Sequence, residues 1–341
     1  MSDGFISRGV RFAANVVTGQ RRLSDVFAVL EYQRSRKKTI LNLEVTARCN
    51  ASCKSCMRDP RVLGIPTNLE MDLSDLNKIL DGYSSASLQS VLLGGSESLL
   101  HSRFFEIVDE IRRRFPGTPI ELYTNGIVLG KRPEVLSALA EANLDAVTFS
   151  LHGATERRVA ELQPGVSLSS VLSAVDFLSQ NCSSTLWVSY VVQDSNVEEL
   201  ADFVELVRGT AFKGISFMPM NDADFTQEPV DYACRWERYH LRQRLEAARE
   251  QAERYGLRVT RAIDLCSCGL DMDIFRADGS IQTCPGNSRA ETLMGNALKE
   301  PIAVVRKAKQ KRLRSLTHCL NRGEIPPLCV ACAIPQQREL P

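Results

Sequence analysis

Six short apolar runs recur along this chain, and a longer segment with helical periodicity follows each of them. The runs occupy residues 39–45, 90–95, 119–126, 145–153, 186–192 and 214–220. Each closes near Gly, Asn, Pro or Ser, which is typical of buried strands in a parallel sheet. Six β–α units in series predict an α/β fold with helices outside a parallel sheet. Periodicity does not decide whether the sheet closes, although the common closed barrel has about eight such units.

The pattern changes after the sixth run. A helical segment at Tyr232–Tyr255 is followed by residues 272–284, which predict two short strands joined by a turn at Asp278–Gly279. A basic helix over 302–316 and a cysteine-bearing tail come next. We therefore predict a helical extension at 1–38, a core at 39–255 and a smaller C-terminal domain at 256–341.

Composition excludes several classes of function. A formal net charge of +1 disfavours nucleic acid as the main partner, because that needs a strong basic excess. No run approaches the roughly 20 apolar residues that span a bilayer, and the first residues do not show the apolar segment of a signal peptide. We expect a cytoplasmic protein that binds neither nucleic acid nor membrane. The 11 cysteines are then expected to be thiols rather than disulfides.

Most of the cysteines fall in two clusters, at 49–56 and 266–332, which indicates metal sites. Cys49, Cys53 and Cys56 follow the first run with the spacing C-x3-C-x2-C. A closed zinc or iron–sulfur site takes four ligands. Three thiolates can instead hold three irons of a [4Fe–4S] cluster and leave the fourth iron open. Zinc is the alternative, but a three-thiolate zinc site is normally completed by a nearby histidine, and the nearest in sequence is His101.

Polar and glycine-rich residues directly follow the first four runs. They are Arg48 with the cysteines, Gly94–Ser98, Thr124–Gly126 and Ser150–Gly153. The carboxyl ends of parallel strands hold the active site in folds of this kind. We therefore expect these four groups to face one another.

Together these motifs resemble the radical S-adenosylmethionine (SAM) superfamily, from Thr39 to about Met220. The cysteine loop, GSES at 95–98, TNG at 124–126 and SLHG at 150–153 occur in that family's order. The resemblance implies a partial (β/α)6 barrel of radical SAM type. Cys49, Cys53 and Cys56 would hold a [4Fe–4S] cluster whose open iron chelates SAM. Reductive cleavage of SAM would give a 5′-deoxyadenosyl radical, which abstracts a hydrogen atom from the substrate.

The resemblance also implies which residues contact SAM. Glu97 and the backbone around Gly95 and Ser96 are expected to receive the methionine amino group, with Asn125 and Ser150 as further contacts. Thr124–Gly126 has the alternative interpretation of a simple strand-ending turn. The chain departs from the family pattern at Ser55 (usually a large apolar residue), Ser96 (usually Gly), Ser98 (usually Pro) and His152 (usually Asp).

The C-terminal cysteines resemble an auxiliary-cluster domain of the SPASM type or its shorter twitch form. One auxiliary [4Fe–4S] cluster is expected at Cys266, Cys284, Cys329 and Cys332, with zinc as the alternative. A second auxiliary cluster usually needs seven or more cysteines, and six are present here. Cys268 and Cys319 are then left over, either as inert small residues or as candidate hydrogen-donor thiols.

The resemblance implies an oxidoreductase but does not name a substrate. We expect oxidation of a hydroxyl carbon in a sugar or aminocyclitol, as in twitch-bearing dehydrogenases. Epimerisation of a sugar or aminoglycoside and modification of a peptide or protein are the alternatives. If the protein were a non-enzymatic zinc or cluster module, the motifs at 95–98, 124–126 and 150–153 would have occurred by coincidence.

Lys299–Arg322 holds eight Lys or Arg residues and one Glu. Such a segment is either a solvated helix face or a dock for an acidic electron donor such as flavodoxin or ferredoxin.

Overall fold

The computed structural model of the chain describes residues 38–54, 56, 65–219, 241–260, 272–283 and 292–322. The predicted helical extension at 1–38 therefore lies almost entirely outside the described residues, and it stays a prediction.

Six parallel strands follow one another along the chain and across the sheet. They are β1 (Thr39–Leu43), β2 (Leu88–Leu93), β3 (Ile120–Thr124), β4 (Ala146–Ser150), β5 (Thr185–Val192) and β6 (Gly214–Pro219). Each pairs in parallel with the next. Each also lies at one of the six apolar runs, so the predicted α/β fold with a partial parallel barrel is confirmed.

Four shorter strands extend this sheet at its two ends. They are β7 (Arg258–Val259), β8 (Met272–Phe275), β9 (Ser280–Gln282) and β10 (Leu293–Asn296). The strand order is β10-β9-β8-β1-β2-β3-β4-β5-β6-β7, with β8 parallel to β1 and antiparallel to β9. The hairpin turning at Asp278–Gly279 is therefore confirmed, and it continues the sheet of the core. The domain boundary at residue 256 stays a prediction.

Helices connect the strands. In the described residues they are α1 (Leu73–Leu80), α2 (Phe104–Arg114), α3 (Ile127–Lys131), α4 (Pro133–Glu141), α5 (Glu156–Leu162), α6 (Leu168–Asn181), α7 (Leu200–Arg208), α8 (Leu241–Arg254) and α9 (Ile302–Asn321). The sequence did not predict α3 and α5, because fewer than two full turns show no clear period. Within the described ranges, no helix is both long and apolar enough to cross a membrane.

The two faces of the sheet differ in chemistry. In β5 the buried residues Leu186, Val188 and Tyr190 belong to the main hydrophobic core, and Tyr190 packs against Phe203 of α7 at 4.3 Å between ring centroids. Side chains alternate along a strand, so the residues between them, including Ser189, point away from the helices. We call this second side the inner face.

Candidate active site

The loop after β1 is held by backbone hydrogen bonds to its neighbours. The Glu97 amide donates to the carbonyl oxygen of Arg48 at 3.0 Å. Further along, the amides of Ser52 and Lys54 donate to Pro164 and Leu162 at 3.2 and 3.1 Å. These contacts bring the GSES segment, which is one of the four predicted groups, against the cysteine loop, and they add the residues after α5, which the prediction did not include.

The three loop cysteines lie near one another. Cys49 and Cys56 are exposed and Cys53 is half-buried. Burial, followed by the charges of Cys56 and Cys49, raises the pKa of the Cys53 thiol to about 12. Yet the described residues contain no group of three ligands close enough to hold one metal ion. Three thiols are the donor set that an open [4Fe–4S] cluster takes, since each thiolate of a cube binds its own iron.

The GSES segment brings a buried carboxylate to the same place. Gly95 is exposed with φ at +122°, a conformation that favours glycine. The Glu97 side chain is 1% exposed. Its carboxylate accepts hydrogen bonds from Thr124 Oγ1 at 2.9 Å and from the Asn125 amide at 2.8 Å. Glu97 therefore joins the ends of β2 and β3.

Among the residues that the structure describes, no positive charge balances the Glu97 carboxylate. Burial raises the pKa of this carboxyl to about 7, and its hydrogen bonds from Asn125, Thr124 and Leu99 oppose the rise. These described donors are all neutral. An ammonium group, such as that of SAM, would supply the positive charge. The residues present therefore fit the methionine end of SAM.

The TNG segment is a turn that also contacts the cysteine loop. Gly126 has φ at +77°, and a Cβ there would lie 2.7 Å from Val171 Cγ2. The Asn125 side chain donates from Nδ2 to Asn50 Oδ1 at 2.9 Å and lies 3.8 Å from Cys49 Sγ. The strand-ending turn is therefore present, and the role of Asn125 as a SAM contact stays a prediction.

The end of β4 carries Ser150 and His152. Ser150 is half-buried on the inner face. Burial lowers the pKa of His152 to about 4, so the ring is neutral, and its Nδ1 accepts from the Val191 amide at 3.2 Å. His152 therefore links β4 to β5 through a hydrogen bond, and it carries no charge at the position where the family usually has Asp. Ser150 stays the predicted SAM contact on this strand.

Gln163 is a site residue that the sequence analysis missed. It follows α5, is 1% exposed and donates from Nε2 to the Ser150 carbonyl oxygen at 3.0 Å. No motif in the sequence marks it, because its contacts come from chain segments that are distant in sequence.

Comparison with known proteins assigns these motifs to a family. Residues 43–207 match the Radical SAM superfamily. This chain contains a radical SAM domain. The chain is also 25% identical over 203 residues to the GTP 3',8-cyclase of Limosilactobacillus fermentum, covering 58% of this chain and 60% of that one. The chain is 30% identical over 142 residues to the GTP 3',8-cyclase of Paenarthrobacter nicotinovorans, and this alignment covers 41% of this chain and 39% of that one. The chain thus spans about half the length of the curated relatives it matches.

Solved structures share the fold of this chain. Those of anSMEcpe with bound AdoMet and of Streptococcus suis SuiB bound to SAM have TM-scores of 0.64 and 0.63. Their sequence identities are 17% and 13%, and the alignments cover 81% and 96% of this chain and 79% and 83% of the other chains. At such identity the likeness concerns the fold alone.

Enzymes with a radical SAM domain bind a [4Fe–4S] cluster and SAM and generate a 5′-deoxyadenosyl radical, so these two expected cofactors are confirmed. The individual site assignments stay predictions. Ser55 and the cysteines at 266, 268, 284, 329 and 332 lie outside the described residues. Cys319 is half-buried in α9.

The inner face of the radical SAM domain carries a row of hydroxyl groups. Ser150, Ser189 and Ser216 are direct register partners on β4, β5 and β6. Thr260 donates from Oγ1 to Ser216 Oγ at 2.9 Å. Ser189 is 1% exposed, and in the described part of the chain its hydroxyl has no hydrogen-bond partner. A buried hydroxyl without a partner is costly, so this position suits a polar ligand.

Proposed function

We propose that this protein is a radical SAM oxidoreductase that oxidises a hydroxyl-bearing carbon of a polar small molecule, such as a sugar or an aminocyclitol. The row of Ser150, Ser189 and Ser216 supports this proposal most directly. Three small hydroxyl side chains on adjacent strands suit a ligand that itself carries several hydroxyl groups, and the buried Ser189 oxygen has no hydrogen-bond partner among the described residues.

Each group of the site has a separate role in the proposal. Cys49, Cys53 and Cys56 hold the cluster, and Glu97 accepts the ammonium of SAM while Gly95 lets the backbone approach it. When bound, the cluster and SAM supply the radical that abstracts hydrogen. Ser150 and Ser189 orient the SAM and substrate hydroxyl groups.

The proposed oxidation balances in two steps. Loss of a hydrogen atom from an H–C–OH carbon leaves a carbon radical and gives 5′-deoxyadenosine. Loss of one proton and one electron then gives the ketone. Cys266, Cys284, Cys329 and Cys332, which lie outside the described residues, would hold an auxiliary iron–sulfur cluster, and that cluster would supply a one-electron acceptor.

A second candidate is chemistry on the ribose of a nucleotide. The GTP 3',8-cyclase relatives support it, since the 3′ carbon of GTP also bears a hydroxyl. Epimerisation, with Cys268 or Cys319 returning a hydrogen atom, and peptide modification are further outcomes that the experiment below distinguishes. The exposed basic residues of α9 support an acidic electron donor such as flavodoxin or ferredoxin as the partner.

The test is an anaerobic assay in heavy water with reductant, SAM and a panel of aminocyclitols, sugars, GTP and peptides. Substrate should stimulate 5′-deoxyadenosine formation, and the product should be lighter by two hydrogen atoms with no deuterium on carbon. The Cys49→Ala/Cys53→Ala/Cys56→Ala variant is the control and should form no 5′-deoxyadenosine. An isomer with carbon-bound deuterium, lost in Cys268→Ala or Cys319→Ala, would instead establish epimerisation. Turnover of GTP or a peptide alone would also overturn the proposed substrate class.

A further inference from the structure

Two buried amide side chains lie against two of the three cluster thiols. Gln163 and Asn125 are 1% and 9% exposed. The residues that these two side chains contact belong to the segments that the sequence analysis assigned to the cluster and to SAM binding. Neither contact is visible in the sequence, because each depends on how loops from different strands meet.

Gln163 lies opposite Cys53 across a short backbone ladder. The residues on both sides of Cys53, Ser52 and Lys54, donate to Pro164 and Leu162, the residues on both sides of Gln163. This pairing places Cys53 and Gln163 opposite each other.

The orientation of the Gln163 amide is fixed by its other partners. Its Oε1 accepts a hydrogen bond from the His152 amide at 2.8 Å. The group bearing two N–H donors must therefore point the other way, where it reaches the Ser150 carbonyl oxygen at 3.0 Å. A reversed amide would place an oxygen against a carbonyl oxygen.

Asn125 repeats this arrangement at Cys49. Its Oδ1 accepts from the Ile127 amide at 2.9 Å, so its Nδ2 is the donor to Asn50 Oδ1 and to Cys49 Sγ. The distance of 3.8 Å between Nδ2 and Sγ is within the range of hydrogen bonds to sulfur.

We propose that Gln163 and Asn125 are positioning residues that donate N–H hydrogen bonds to the sulfurs of Cys53 and Cys49 and thereby raise the reduction potential of the cluster. A hydrogen bond to a ligating sulfur stabilises the more negative, reduced cluster. Gln163 also ties Cys53 to Ser150, so the same amide sets the distance between the cluster and the end of β4. This inference rests on the assignment of the cluster to Cys49, Cys53 and Cys56.

The test compares reduction potentials of reconstituted protein by a redox titration followed by electron paramagnetic resonance. Gln163→Met keeps the length of the side chain and removes the donor. At a fixed potential the ratio of reduced to oxidised cluster should fall about tenfold, which is ~59 mV for a one-electron couple. Asn125→Leu should shift the potential in the same direction. Gln251→Met is the matched control, since the Gln251 amide binds Glu205 on the surface, and its potential should equal that of the wild type.

A second measurement needs no variant. Exchange of the amide protons in heavy water should shift the Fe–S(Cys) stretching bands in the resonance Raman spectrum of the wild type. Unchanged potentials in both variants, or no isotope shift in the wild type, would overturn the inference, and the isotope shift decides if a variant fails to hold its cluster. A wild-type protein that assembles no cluster would contradict the cluster assignment instead.

Discussion

At the scale of single residues, the buried carboxylate of Glu97 lowers the stability of the folded protein but suits the binding of SAM. A fully buried carboxylate with only neutral hydrogen-bond donors is costly when it is ionised. The ammonium of SAM would offset that cost, so the unbalanced charge is useful for binding. The same burial makes the stability of the empty protein depend on pH.

We predict that Glu97→Gln removes a pH-dependent cost. The pKa of Glu97 is raised from 4.5 to about 7 in the folded protein. The wild type therefore keeps its full stability, as far as this group is concerned, below pH 4.5, and it loses that stability as the pH rises through 7. A shift of this size corresponds to about 3 kcal/mol. The variant should therefore gain roughly that much over the wild type between pH 5 and pH 8, measured by urea unfolding of cluster-free protein.

The stability of the variant has to be compared with that of the wild type at each pH, because His152 also makes stability depend on pH. Its lowered pKa acts in the opposite direction, since stability is lost as the pH falls from 6.5 through 4. Glu106→Gln is the control, because Arg103 lowers the pKa of this exposed carboxyl and no gain at pH 8 should follow. SAM affinity of the Glu97→Gln holoenzyme should fall about tenfold to a hundredfold. Unchanged affinity would show that the ammonium binds elsewhere.

At the scale of elements, α9 uses two of its basic residues for packing. The buried Lys309 and the half-buried Arg306 both bind Asp273 of β8 at 2.8 Å. Arg306 also lies 4.7 Å from the ring centroid of Tyr83. The other basic residues of the segment are exposed: Lys299, Lys307, Lys311, Arg312, Arg314 and Arg322. The helix is thus anchored on one side and presents a basic surface on the other.

We predict that this surface steers an acidic electron donor. Lys307→Glu/Lys311→Glu/Arg314→Glu should slow cluster reduction by flavodoxin at least tenfold at low salt, because charge raises association rates. Reduction by dithionite, which needs no docking, should not change. Stopped-flow absorbance measures both rates.

The matched control reverses three exposed charges elsewhere, Lys131, Lys213 and Arg254. If the control slows flavodoxin equally, net charge and not α9 governs the encounter. If added salt has no effect on the wild-type rate, electrostatic steering by this helix is wrong.

At the scale of the whole molecule, a buried ion pair joins the first strand of the core to the C-terminal hairpin. Arg276 Nε lies 2.7 Å from Glu44 Oε2, and the two side chains are 0% and 1% exposed. Glu44 Oε1 accepts from Ser96 Oγ at 3.1 Å, and Arg276 donates to Gln282 Oε1 at 3.1 Å. This chain of contacts links the GSES segment to the strand that leads to Cys284.

We predict that breaking this pair from one side destabilises the protein strongly. Arg276→Met should cost about 3–5 kcal/mol, because it leaves Glu44 charged in the interior. Glu44→Gln/Arg276→Met should cost less than Arg276→Met alone, since no buried charge remains. Urea unfolding of the wild type, the two single variants Glu44→Gln and Arg276→Met, and the double variant gives the coupling energy. Additive losses would show that the two residues act independently.

The sequence by itself determined the parts of the protein that depend on local pattern. Six apolar runs placed β1 to β6, helical periodicity placed the longer helices, and Asp278–Gly279 marked the hairpin. The spacing of Cys49, Cys53 and Cys56 with the motifs at 95–98, 124–126 and 150–153 indicated the radical SAM domain. These features lie in short segments whose chemistry is set by neighbours in the chain.

Tertiary structure alone decided which residues complete the site. Gln163 meets Cys53 because the residues after α5 pair with the cysteine loop, and Ser189 joins Ser150 and Ser216 because strand register aligns them. The short elements β7, β10, α3 and α5 carry too few residues to show a period. Glu44 and Arg276 form a pair only because β8 adds to the sheet beside β1. Such contacts arise from strand order and register, which no local stretch of sequence specifies.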